Sequence, residues 1–237
     1  MRKFLLPLCF LLAGSLPLTA QSDSDAEKRK AAGRSAWFAC LAKPEGLEDP
    51  LKILAGGEIT ELELPEFMAS EAVKIPADGI LRIVRPIPAP EDPAKTKYLI
   101  LAEVKIPESV REALVILDPL PKPEGDLLFR AKVQDLANFK GGDRLYINLS
   151  DSNIRVRLGK TTVPVAPGQA NIYECPKLPA PQNMPVMYEF YHPVRKEWKM
   201  LTASTVVLRP TRREICVFNT GTRPGNIRNH KILFPVK

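Results

Sequence analysis

The sequence predicts an all-β protein built as two similar antiparallel β-sandwich halves in tandem. Three observations lead there. Apolar and polar residues alternate with period two in short runs, as in Glu61-Leu62-Glu63-Leu64 and Ile154-Arg155-Val156-Arg157-Leu158, a pattern that buries one face of a sheet and wets the other. No segment carries a 3.6-residue apolar period long enough to supply the crossover helices of a parallel sheet. A series of landmarks from the first half recurs in the same order in the second.

The chain opens on Met1-Arg2-Lys3, then an apolar run over residues 4–12, then a small-residue exit through Gly14, Ser15 and Thr19-Ala20. This is the form of a secretory signal peptide over residues 1–20, cleaved after Ala20. The apolar run is shorter than the roughly 20 residues that span a bilayer, so no membrane span is expected in the exported chain. Residues 21–33 are polar and charged and read as a flexible leader. The first half, 34–122, offers strand-like runs at 36–41, 58–64, 71–75, 80–85, 97–104 and 113–117. Residues 123–126, inside a Pro-rich stretch from Pro119 to Gly125, read as the linker between halves. The second half, 127–237, offers runs at 127–133, 144–149, 153–158, 161–165, 170–174, 186–191, 197–208, 214–218 and 231–234. Each run is rich in β-branched or aromatic residues and is bounded by turn residues.

The repeat rests on four matches. Ala77-Asp78-Gly79 matches Ala166-Pro167-Gly168, and Arg85-Pro86-Ile87-Pro88-Ala89-Pro90 matches Cys175-Pro176-Lys177-Leu178-Pro179-Ala180-Pro181. Ile100-Leu101-Ala102 matches Met200-Leu201-Thr202, and Arg111-Glu112-Ala113-Leu114-Val115 matches Arg213-Glu214-Ile215-Cys216-Val217. A one-residue slip in apolar register before the Gly turn calls for a bulge or a shifted boundary.

Charge is divided unequally. Residues 34–122 hold 11 Lys and Arg against 15 Asp and Glu, a net of −4, whereas 127–237 hold 18 against 7, a net of +11. Such a split favours either a basic binding face or head-to-tail homo-oligomerisation of acidic and basic halves. Export removes nucleic acid as the expected partner of a chain with pI ≈ 9.2 and points instead to an acidic glycan, lipopolysaccharide phosphate or an acidic protein surface. The candidate binding surface is Tyr188, Phe190, Tyr191 and Trp198 beside Arg195, Lys196 and Lys199, with Arg212 and Arg213. The competing reading places aromatics at this spacing in the core.

Catalytic constellations are scarce. His192 and His230 are the only histidines and neither has a ligand at metal-site spacing. No Gly-x-Ser-x-Gly is present. Cys216 sits in an apolar run, where burial makes a thiol inert. Cys40, Cys175 and Cys216 read as three buried free thiols, with a Cys175–Cys216 disulfide as the alternative. Glu61, Glu63 and Glu66 are candidate glycosidase carboxylates only by abundance, and alternation puts Glu61 and Glu63 on the wet face. Lys140-Gly141-Gly142-Asp143-Arg144 is a turn and not a phosphate loop. Asn148-Leu149-Ser150 has the form of a glycosylation sequon. A non-catalytic protein without cofactor or metal is expected.

In its duplicated strands, Pro-Ala-Pro connectors and turn spacing, the chain resembles the immunoglobulin-like β-sandwich proteins that bacteria export to the envelope, some of them encoded with type IV pilus components. The resemblance implies immunoglobulin-like halves, a periplasmic or cell-surface location, and a structural or protein-interaction role among envelope or surface-assembly proteins. The alternative function is an acidic-glycan or carbohydrate-binding module.

Overall fold

The structure, a computed structural model, describes residues 33–221 and 225–234. The export signal expected over 1–20 and residues 21–32 of the leader lie outside the described residues. Sixteen strands and no helix are found among those described. They are β1 (Ser35–Cys40), β2 (Leu51–Ala55), β3 (Glu58–Leu62), β4 (Val73–Lys74), β5 (Ile80–Pro88), β6 (Thr96–Lys105), β7 (Glu112–Glu124) and β8 (Leu127–Asp135), then β9 (Arg144–Asn148), β10 (Ile154–Leu158), β11 (Thr161–Val165), β12 (Ala170–Tyr173), β13 (Gln182–His192), β14 (Glu197–Leu208), β15 (Arg213–Thr220) and β16 (Ile227–Phe234).

The duplication is visible in the sheet orders. The first half forms the sheets β4-β1-β7-β8 and β3-β2-β5-β6, and the second forms β12-β9-β15-β16 and β11-β10-β13-β14. Adding eight to each strand number converts one half into the other. Even the unusual parallel pairing is repeated, β1 with β7 and β9 with β15, within otherwise antiparallel sheets. So is the bulge. Leu101 is the extra residue where Ile83 faces Ala102 and Val84 faces Ile100, and Leu201 is the extra residue where Tyr188 faces Thr202 and Glu189 faces Met200.

Three cores arrange the four sheets. Ala36 and Phe38 of β1, with Ala113, Val115 and Leu117 of β7, face β3-β2-β5-β6 and fill the first sandwich. Tyr146 of β9, with Cys216 and Phe218 of β15, faces β11-β10-β13-β14 and fills the second. The alternate residues of the same strands, Trp37, Leu114, Ile116, Leu145, Ile147, Ile215 and Val217, meet in a third core that joins the halves. The two inner sheets are therefore buried on both faces. That is why β1 and β7 read as continuous apolar runs while β3 and β10, in the outer sheets, alternate. From Arg34 onward the chain is one compact unit.

The connections across the halves reinforce this. Leu136 and Phe139, in the passage from β8 to β9, enter the shared core. Residues 67–70 of the first half run beside β16, with Ala69 N donating to Leu233 O (3.0 Å) and Leu233 N donating to Phe67 O (2.7 Å).

Sheet pairing shifts some sequence expectations. The linker expected at 123–126 is the hairpin turn between β7 and β8, and β8 pairs with β7, so the first half runs to Asp135. Pro119 to Pro123 widen this hairpin at its tip, where the register shifts between Pro119 and Glu124. The Ala-x-Gly turns are not equivalent, since 77–79 precedes β5 and 166–168 precedes β12. The Pro-Ala-Pro segments also fall apart, one closing the β5–β6 connection and the other leading into β13. The third match holds residue for residue at the bulge. The fourth moves by one, because Leu114 and Ile215 face the shared core while Val115 and Cys216 face their own sandwiches. Strand β2 was not anticipated. Its signal was the Gly56-Gly57 turn, whose positive φ angles of 59° and 89° suit a two-residue hairpin.

Candidate functional site

The outer face of β11-β10-β13-β14 carries a cluster of two arginines paired with one glutamate beside exposed aromatic and thioether groups. Alternation along β10 buries Ile154, Val156 and Leu158 and sends Arg155 and Arg157 outward. On β13 the inward residues are Val186, Tyr188 and Phe190, so Glu189 and Tyr191 point outward. Cross-strand register sets Arg155 opposite Glu189, Glu189 opposite Met200, and Tyr191 opposite Trp198.

Glu189 holds both arginines in forked geometry. Arg155 Nε and Nη2 donate to Oε2 and Oε1 at 2.8 and 3.0 Å, and Arg157 Nε and Nη2 donate to the same two oxygens at 2.6 Å each. Hydrogen bonds from Arg155 and then Arg157 pull the Glu189 carboxyl down to about 2, outweighing the burial that opposes ionisation. One carboxylate balances two guanidiniums, so the cluster keeps a net positive charge. The Arg155 guanidinium also lies 4.2 Å from the Trp198 ring centroid, and Tyr191 meets that ring edge-on at 5.6 Å and 68°. Trp198 remains 38% exposed and Met200 62%. The result is a flat, pre-positioned patch of guanidinium, indole and thioether.

The residues expected to form the binding surface divide among several places. Trp198 and Tyr191 lie in this patch. Arg195 and Lys196 are exposed on the adjoining turn, where Lys196 has φ 54° and its N–H donates to His192 O at 2.9 Å. His192 Nδ1 accepts from the backbone N–H groups of Val194 (3.3 Å) and Arg195 (3.2 Å), so His192 shapes the turn. Lys199 lies opposite buried Phe190, on the other side of β14 from Trp198, 3.9 Å from Glu197. Tyr188 and Phe190 are core residues. Arg212 pairs with Glu214 at 3.1 Å, away from the patch. Arg213 is buried where the halves meet, 4.3 Å over Phe234 and 5.6 Å from Phe139, and its Nη1 donates to Phe139 O at 3.5 Å.

Sequence reading passed over Arg155, Arg157, Glu189 and Met200. The alternation of β10 already put the arginines on the wet face. What it lacked was the register that places β13 between them and Trp198.

The topological counterpart of this patch lies on the outer face of β3-β2-β5-β6. There, Lys52, Leu54, Val84, Tyr98 and Ile100 occupy the places of Arg155, Arg157, Glu189, Trp198 and Met200. The scaffold is retained, and at these five positions the ionic trio has given way to one lysine among apolar side chains, with the Arg82–Glu103 ion pair beside them.

Other candidates resolve as structure. All three described cysteines are free. Burial pushes the Cys216 thiol up to about 12 and Cys40 up to about 11, so neither presents a ready thiolate at neutral pH. No group of three or more metal-ligating side chains occurs among the described residues. Asn148 of the sequon is fully buried; its Nδ2 donates to Ser152 O (2.8 Å) and Val165 O (2.9 Å), and its Oδ1 accepts from Ser150 N (2.9 Å) and Ser150 Oγ (2.6 Å). No helix among the described residues is long and apolar enough to cross a membrane. No protein-family model matches this chain, and no curated protein matches it in sequence.

Proposed function

We propose that this protein is a non-catalytic, exported component of the cell envelope or cell surface that works by binding other proteins of an appendage or secretion assembly. The observation that carries the reading is the outward patch of Arg155, Arg157, Glu189, Trp198 and Met200. Its arginines are locked by a single carboxylate, and its aromatic and thioether groups stay exposed on a sheet whose inner face is packed into the core of the second sandwich. Little side-chain entropy remains to be lost when such a surface binds, and Arg, Trp and Met are the residue types that dominate protein interfaces. A duplicated scaffold whose two outer faces carry different side chains at equivalent positions suits a part that joins two different neighbours. The export signal expected from the sequence over residues 1–20 supports an envelope or extracellular site of action.

The test is in-cell chemical cross-linking with mass spectrometry in the source organism, comparing the natural chain with Trp198→Ala and Arg155→Ala. The reading expects cross-links to pilus, secretion or outer-membrane subunits that weaken in both variants. Retention on polysaccharide with no protein cross-link would overturn it in favour of acidic-glycan binding. The basic second half supports that alternative, but Arg155 already covers one face of the Trp198 ring.

A further inference from the structure

Each duplicated sandwich has two side seams, and the halves close different ones. In the first half β6 lies against β8, while β3 and β4 stand apart around a groove of about 950 Å³. In the second half β11 lies against β12, while β14 and β16 stand apart around a groove of about 350 Å³. Two strand edges, β3 and β14, therefore face open seams. Among the described residues β3 pairs with β2 alone and β14 with β13 alone.

The directions of the free backbone groups follow from the register. Pro185 O accepts from Gly159 N, so the backbone of Pro185 points away from β14. Its partner Thr205 is then a non-hydrogen-bonded pair with it, and the N–H and C=O of Thr205 point to the free edge. Ala203 and Val207 share that direction by alternation. The edge carbonyl of Thr205 receives a long 3.4 Å contact from Ser204 Oγ. In the β2–β3 hairpin the two-residue turn makes Ala55 and Glu58 a bonded pair, which turns Ile59 and Glu61 to the free edge of β3. From Met200 to Leu208, β14 contains no charge and no proline, the features that normally guard an edge.

Charge selects the partner. Residues 34–135 carry 13 basic against 18 acidic groups, and 144–234 carry 14 against 5. The β3 seam is walled by Glu61, Glu63 and Glu71 against Lys74 alone. The β14 seam holds Arg144, Arg212 and Lys231 against Glu214 alone. Pairing β14 with another β14 would set basic against basic, whereas β14 against β3 sets basic against acidic.

We propose that the β14 edge of one molecule pairs with the β3 edge of a second copy, so that copies join head to tail through continued sheets. The arrangement is heterologous, so copies add head to tail into chains, or into a ring where the rotation between them closes. It deepens the assembly reading above and rests on it only for the setting in which chains would form.

Sedimentation of the purified protein tests it. The weight-average mass is expected to rise with concentration in low salt without stopping at a dimer, and to fall back in high salt. Thr205→Pro removes only an edge donor, so the fold is kept while association weakens at least tenfold. Glu61→Lys with Glu63→Lys does the same from the other edge. Each variant alone is expected to be monomeric, and a mixture of the two is expected to form a dimer that grows no further, because one intact β14 and one intact β3 remain. A natural chain that stays monomeric at its solubility limit, or a Thr205→Pro chain that still assembles, would overturn the pairing. If that monomer still captures envelope proteins through the Trp198 patch, the proposed function stands without it.

Discussion

The shared core makes a sharp claim about cooperativity, and Ile116 is the residue to perturb. It lies on β7, has no exposed surface, and points away from its own sandwich into the layer between halves. Replacement by alanine removes buried methyl and methylene groups from a site bounded by two stiff sheets that cannot collapse inward, which costs about 3 kcal/mol within a usual range of roughly 2–5. For a unit of this size each kcal/mol lowers Tm by about 2–4 °C, so a drop of roughly 6–12 °C is expected. The chain's two tryptophans report on different layers, Trp37 from the shared core and Trp198 from the outer face of the second half. Thermal melts followed by fluorescence in Trp37→Phe and Trp198→Phe backgrounds therefore watch the two places separately. Both probes are expected to melt together and to move together when Ile116 is truncated. A Trp198 transition that stays in place while the Trp37 transition falls would refute the argument, because it would show a second sandwich indifferent to the layer that joins it to the first.

Four further outcomes follow from the same geometry. The Glu189 carboxyl is held below its ordinary value of 4.5, so its stabilisation is present above about pH 4.5 and is lost as pH falls toward about 2; acid denaturation of Glu189→Gln should lack this step, worth about 1–2 kcal/mol after discounting for the solvent that screens half-exposed Arg157. Asn148→Ala strips four hydrogen bonds from buried groups and should destabilise by about 2–4 kcal/mol in urea titrations, with a change below about 0.5 kcal/mol disproving the buried role. The Tyr188 hydroxyl is buried with no hydrogen-bond partner among the described residues, so Tyr188→Phe should stabilise by about 1 kcal/mol, and a loss of stability would reveal a bound water or other partner at that oxygen. Burial of Cys216 should keep it unreactive to a thiol-specific dye at pH 8 in the folded protein, with all three described thiols reacting in denaturant without prior reduction.

The strands were legible because their chemistry is local. Ile154, Val156 and Leu158 announce a half-buried strand by themselves, and the inward leucines of 61–64 do the same. Strand β2 was missed because Leu51-Lys52-Ile53-Leu54-Ala55 is only five residues between Pro50 and two glycines, too short to establish a period, although the glycines marked the hairpin. The boundary between halves was misplaced for a related reason. Proline usually interrupts a sheet, so 119–123 read as a connector, but at the tip of a long hairpin the lost N–H donors have no ladder to break.

The repeat illustrates which signals survive duplication. Turn motifs drifted, and matching Ala-x-Gly or Pro-Ala-Pro segments paired places that are not equivalent. The bulge triplets Ile100-Leu101-Ala102 and Met200-Leu201-Thr202 stayed aligned because an extra residue in one strand redirects every side chain beyond it, and both outer sheets depend on that redirection. The same logic explains why the candidate site was only half visible. Trp198 and Tyr191 stand out in any reading of the sequence, but whether an aromatic on β13 is core or surface turns on parity alone: Tyr188 and Phe190 point in, Tyr191 points out. Arg155 and Arg157 lie more than forty residues upstream of Trp198, and only the β10–β13–β14 register gathers them around Glu189. A surface assembled from three strands is written in cross-strand pairing, and that is the level at which the two halves of this protein have parted chemically while keeping one fold.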